Sequence, residues 1–169
     1  MKYLHIISQL EKNTGVFKAL FEGVTKEEYE WKQAPEKWCM LEIICHLYDE
    51  EKEDFKTRLQ YALIGSMDMP PSIDPVAWVT ERQYMSRSFE ESVEHFLVER
   101  SHSLYTLRHF KSPDWHNFFI HPNLGKMTAH MILSNWLAHD YLHMRQIIRL
   151  KYDYLKWISR ESLSYAGEW

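Results

Sequence analysis

Apolar residues recur at helical spacing in four long stretches of the chain. Leu4, Ile7, Leu10, Phe17, Leu20 and Phe21 stand three, four or seven residues apart, with Gln9, Glu11, Lys12, Lys18 and Glu22 among them. This pattern predicts an amphipathic helix over residues 3–22, stopped near Gly23. A second pattern opens at Trp38 and runs through Ile43, Ile44, Leu47, Phe55, Leu59 and Leu63 to Gly65, a C-terminal stop. A third is predicted from Phe89 to Phe110 on Val93, Phe96, Leu97, Leu104 and Leu107, with Ser88 and Glu91 spaced as a capping box. The fourth runs from Lys126 to Tyr152 through Met127, Met131, Ile132, Trp136, Leu142, Ile147 and Leu150. Residues 24–37, 65–77 and 111–125 carry Pro35, Pro70, Pro71, Pro75, Pro113 and Pro122 and read as connections. Phe118-Phe119-Ile120 fits a strand or a turn, but too few alternating segments exist to build a sheet. The expected architecture is all-α, a four-helix bundle in a single domain spanning residues 1–169.

Composition agrees with that picture and narrows the function. Only five glycines and six prolines punctuate 169 residues, and 45% of the chain is hydrophobic. At this length a folded chain buries roughly two-thirds of the surface it exposes when unfolded, so no covalent staple is needed. Cys39 and Cys45 are too few and too close for a disulfide framework, which favours a reduced, cytoplasmic protein. The apolar start is interrupted by His5, Ser8 and Gln9, unlike a signal peptide, and no run approaches the length of a membrane span. A net charge of -4 gives no overall attraction to nucleic acid or to anionic lipid.

The histidines carry the candidate chemistry. Ten are present. His139 and His143 are four residues apart, about 400° around a helix, so both imidazoles lie on one stripe and are placed to chelate a cation. The motif is HDYLH, without the glutamate of the HExxH metalloproteases. His130, nine residues before His139, is about half a turn out of phase and is left out of the site. His46 adjoins Ile43 and Leu47 of an apolar stripe. It is either a third ligand or a buried histidine satisfied by one hydrogen bond. Bundles build metal sites from inward side chains on adjacent helices, and three protein ligands with one open position is a catalytic pattern.

Two stretches together resemble the DinB-like superfamily, the metal-binding bundle family rather than the DNA polymerase of similar name. They are Ala34-Pro35-Glu36-Lys37-Trp38-Cys39 leading into His46-Leu47-Tyr48-Asp49-Glu50, and Gly125-Lys126-Met127-Thr128 leading into His139-Asp140-Tyr141-Leu142-His143-Met144-Arg145-Gln146-Ile147. The resemblance implies a four-helix bundle of the DinB-like type, often a homodimer, with a divalent metal on His46, His139 and His143. Nickel or zinc leads among the metals, with manganese and iron also compatible with imidazole and water. It also implies a small-molecule substrate. Thiol S-transferases, which join a low-molecular-weight thiol to an electrophile, stand slightly ahead of hydrolases. The alternative is a non-enzymatic, stress-associated, dimeric metal- or ligand-binding protein. Cys39 departs from the serine or threonine that often caps the second helix in the family. Glu50, at i+4 from His46, is the candidate catalytic residue, expected to orient His46 or a metal-bound water; Asp49 is the next nearest carboxylate.

Overall fold

The computed structural model describes residues 2–167, so Met1, Glu168 and Trp169 at the ends of the expected domain lie outside the described residues. Helix α1 spans Lys2–Phe21, and a short α2, Lys26–Tyr29, follows under a Thr25 cap. The second long helix has three parts: α3, Met40–Glu50; a π-helical segment, Glu51–Phe55; and α4, Lys56–Leu63. A short α5, Pro75–Glu81, lies within the second connection, started by the Asp74 carboxylate on the Ala77 N–H. Helix α6, Phe89–His109, begins where Ser88 accepts from the Glu91 N–H. The last helix, α7, covers Ala129–Ser159. Gly23 and Gly65, at the two expected stops, both adopt the left-handed backbone. No described helix is long and apolar enough to cross a membrane.

The sequence pattern misplaces both ends of the last helix. Residues 126–128 belong to β2, Gly125–Thr128, which pairs antiparallel with β1, Phe118–His121. Gly125, at φ 72°, supplies the left-handed residue that closes this hairpin after Pro122-Asn123-Leu124. The helix starts only at Ala129 because Thr128 caps Met131, while the Ala129 and His130 N–H groups donate to the carbonyls of Asn117 and Trp115. At its other end α7 runs seven residues past the expected Tyr152.

Helix α1 packs chiefly on α6 and α7, and the helix of α3 and α4 does the same. The first and second long helices therefore lie diagonally across the bundle, as do the third and fourth, and the long connections within each pair are what allow it. Two apolar clusters fill the interior. One joins Phe17 and Phe21 to Ile43, Phe96 and Ile147; the other joins Ile7 and Leu10 to Leu59, Leu107 and Trp136. Between them lies a layer of buried polar residues: Asn13, Glu50, Glu51, Arg100 and Asp140. Polar groups survive in such a layer only when paired, so each unpaired atom in it calls for a reason.

Candidate metal centre

Helices α3 and α7 bring His46, His139 and His143 together at one edge of this polar layer. His139 Nε2 lies 3.3 Å from His46 Nε2 and 3.1 Å from His143 Nε2. One ligand atom from each residue falls within 4.8 Å of the others. Nitrogens bound tetrahedrally to one ion at about 2.0–2.1 Å stand about 3.3 Å apart, a spacing that both separations at His139 Nε2 match, so the donor set fits a divalent metal. His130 is elsewhere, with its ring edge-on to Tyr3 at 5.0 Å.

Electrostatics keeps the three rings neutral. Burial depresses the His46 imidazole to about 3, with repulsion from His143 adding to the effect. Burial, followed by repulsion from His143, His46 and Arg100, takes His139 to about 2. His143 is also lowered by burial, against opposition from Gln146 and Asp140. Neutral imidazoles are the form that donates a lone pair to a metal.

The rings are held from behind. His143 Nδ1 lies 2.9 Å from Gln146 Oε1, and with the amide oxygen in that place the imidazole donates there and turns its Nε2 lone pair to the cluster. Phe55 packs on His139 at 5.0 Å and Trp38 on His46 at 4.9 Å. The π-helical segment after Glu50 ends at Phe55, and such insertions are frequent at functional sites.

The outer carboxylates differ in their surroundings. His46 Nδ1 is buried without a hydrogen-bond partner, so of the two roles expected of Glu50, orienting that ring has no hydrogen bond behind it. Burial and repulsion from Asp54 instead push the Glu50 carboxyl up to about 8. Asp49 points to a different neighbour, accepting from Tyr84 Oη at 2.8 Å and pairing with Arg82 and Arg87 at 3.1 and 3.4 Å. Cys39 sits at the N-cap as expected. The Glu42 carboxylate reaches back to its N–H at 2.9 Å, which compensates for the weak cap. Both cysteines are buried, and burial raises Cys45 and pushes Cys39 up to about 11, so neither is an activated thiol.

A cavity of about 540 Å³ opens beside the cluster, with His139 and Glu50 in its wall. Phe55, Ile132 and Leu142 give it an apolar lining, and the hairpin contributes His121 and Met127. A second cavity of about 530 Å³ adjoins it at Arg58, Ile73 and His121.

Sequence reasoning missed three features. Gln146 stood in the HxxxHxxQ motif without a role. Glu51 was hidden in a run of acidic residues. Arg100 carried a usable signal: it lies four residues from both Phe96 and Leu104, a cation on the apolar stripe of α6.

Known proteins agree with this architecture. The solved structure of YfiT from Bacillus subtilis, a probable metal-dependent hydrolase with an unusual four-helix bundle topology, matches with a TM-score of 0.78. Its sequence identity is 18%, over 89% of this chain and 86% of that one, and at that identity the likeness establishes the fold. No curated protein matches the chain. A family model for the DinB superfamily matches residues 9–147, most of the chain. This protein belongs to the DinB superfamily.

Proposed function

We propose that the protein is a metal-dependent hydrolase acting on a small molecule, with His46, His139 and His143 as ligands of one divalent ion, nickel or zinc first. The observation that carries this reading is the convergence of three neutral Nε2 atoms at the wall of a cavity that also holds a buried, unusually basic carboxyl. When bound there, such an ion acts as a Lewis acid and acidifies the water or thiol in its open position. The chain's own residues supply the rest. Gln146 holds the His143 ring in the required tautomer. Glu50, protonated at neutral pH, offers an Oε proton to a leaving group. Phe55, Ile132 and Leu142 exclude water and favour a substrate with an apolar body. With Glu50 protonated, Asp54 and Arg58 offset each other and no spare cationic side chain of this wall is left for an anion, so an uncharged ester or amide suits the cavity best.

Thiol transfer is the second reading, supported by the two adjoining cavities, which give room for a thiol and an electrophile together. The thiol must come from outside the chain, because Cys39 and Cys45 are buried and weakly acidic. The test is elemental analysis of tag-free protein, followed by turnover of uncharged esters and amides with and without a low-molecular-weight thiol. Stoichiometric metal with hydrolysis supports the first reading, and turnover only with thiol supports the second. Metal without turnover in either arm leaves a binding protein, and absence of metal overturns the centre. A homodimer belongs to the same reading, and sedimentation equilibrium at micromolar concentration checks it.

A further inference from the structure

The polar layer contains a charged group that the proposed chemistry does not use. Arg100 is 1% exposed, yet its guanidinium meets two carboxylates. Nη1 and Nη2 bond Asp140 at 2.8 and 2.7 Å, and Nε lies 2.9 Å from Glu51 Oε1. Neutral donors complete the shell: Asn13 Nδ2 to Asp140 at 3.0 Å and Trp136 Nε1 to Glu51 at 2.9 Å. Two carboxylates on one guanidinium leave a formal charge of -1 in the interior. Among the described residues no second cationic side chain pairs with either carboxylate.

An interior charge without a counter-ion is unfavourable, and a divalent cation on neighbouring imidazoles would offset it. The position of the surplus indicates which imidazoles. Asp140 follows His139 in α7, and Glu51 continues the helix that carries His46. Asp140 favours positive charge at the His143 ring and Arg100 opposes it at the His139 ring, so it is the net charge of the group that favours a cation there.

We propose that Glu51, Arg100 and Asp140 form the counter-charge of the metal centre, their surplus negative charge raising the affinity of the three imidazoles for a divalent cation. This rests on the metal reading above. It goes beyond it by assigning metal affinity to three residues that touch no ligand position.

Zinc chloride titration against a chromophoric chelator tests it in the full chain, comparing wild type with Asp140→Asn and Glu51→Gln, each of which removes the surplus from a different helix. Circular dichroism reports the fold, and Glu11→Gln, in an exposed pair with Arg108, is the control. The expected result is a loss of zinc affinity of about 10- to 100-fold in both folded variants, with the control unchanged. Folded variants that bind zinc like wild type overturn the proposal and leave the metal reading standing. A wild type that binds no zinc removes both. If one variant does not fold, the other decides. Loss of helical signal in both, not restored by zinc, overturns it, because the triad then serves the fold alone.

Discussion

Two faces of helix α3 carry adjacent carboxylates in opposite circumstances. Asp49 faces α5 and the turn after it, where Tyr84, Arg82 and Arg87 satisfy it. One residue on, Glu50 faces a cavity with Asp54 as its near partner, and His46, one turn earlier, has a buried Nδ1 with none. A polar group whose partners all lie within the chain contributes to the fold. Groups whose pKa is displaced beside open space, and ring nitrogens that face one another instead of a donor, are arranged for something outside the chain.

Substitutions that separate the two faces test this contrast. The largest effect is expected from His139→Ala, which removes the nitrogen that both other rings approach. Zinc affinity should fall by more than about 100-fold, beyond the range of outer-shell changes, while His130→Ala leaves it unchanged. Calorimetric titration of both variants decides, and the reverse pattern would show that the ligand set is wrong.

Next is Glu50→Gln, which keeps shape and removes the transferable proton. Turnover should drop by about 100-fold, the low end for a general acid or base, with zinc affinity much less affected. Equal turnover in both proteins would return Glu50 to the class of paired, structural carboxylates.

On the other face, Asp49→Ala should cost about 1–3 kcal/mol of stability by leaving the Tyr84 hydroxyl and two guanidinium groups without their acceptor. Urea unfolding measures that loss, and zinc affinity should stay within about twofold of wild type. A large change in affinity would mean that the two faces are not independent.

The most gradual effect, small at any one step of pH, is expected in metal-free protein. His46 and His139 have folded values below the unfolded 6.5, so the unfolded state takes up more protons and stability falls as pH drops below about 6.5. Glu50 acts oppositely: its folded value of about 8 exceeds the unfolded 4.5, so it adds stability as pH falls between these values. His46 and His139 against Glu50 leave a net loss of about one proton, about 1.4 kcal/mol per pH unit between pH 6.5 and 4.5, and His143, also lowered, adds to the loss in the same direction. Unfolding free energies at pH 7.5, 6 and 5 with chelator present measure it. A flat profile would indicate that the rings are not held neutral.

Helix positions and the pairing of His139 with His143 were legible in the sequence because both follow from a 3.6-residue period, a local property of the chain. The hairpin was not, because Gly125–Thr128 becomes a strand through partners four to ten residues away and through the loop carbonyls that cap α7. The site divides in the same way. Spacing alone put two imidazoles on one stripe, but the third ring joins them only because the bundle sets α3 beside α7. The consecutive residues Asp49, Glu50 and Glu51 show the limit most clearly. Successive side chains on a helix point about 100° apart, so the three carboxylates face three different neighbours. One meets Tyr84 and two arginines, one a cavity, and one the buried Arg100. The sequence by itself determined that three acids stand there in a row. Only tertiary packing decided which of them supports the fold, which faces the chemistry and which charges the interior, because a carboxylate takes its role from what surrounds it.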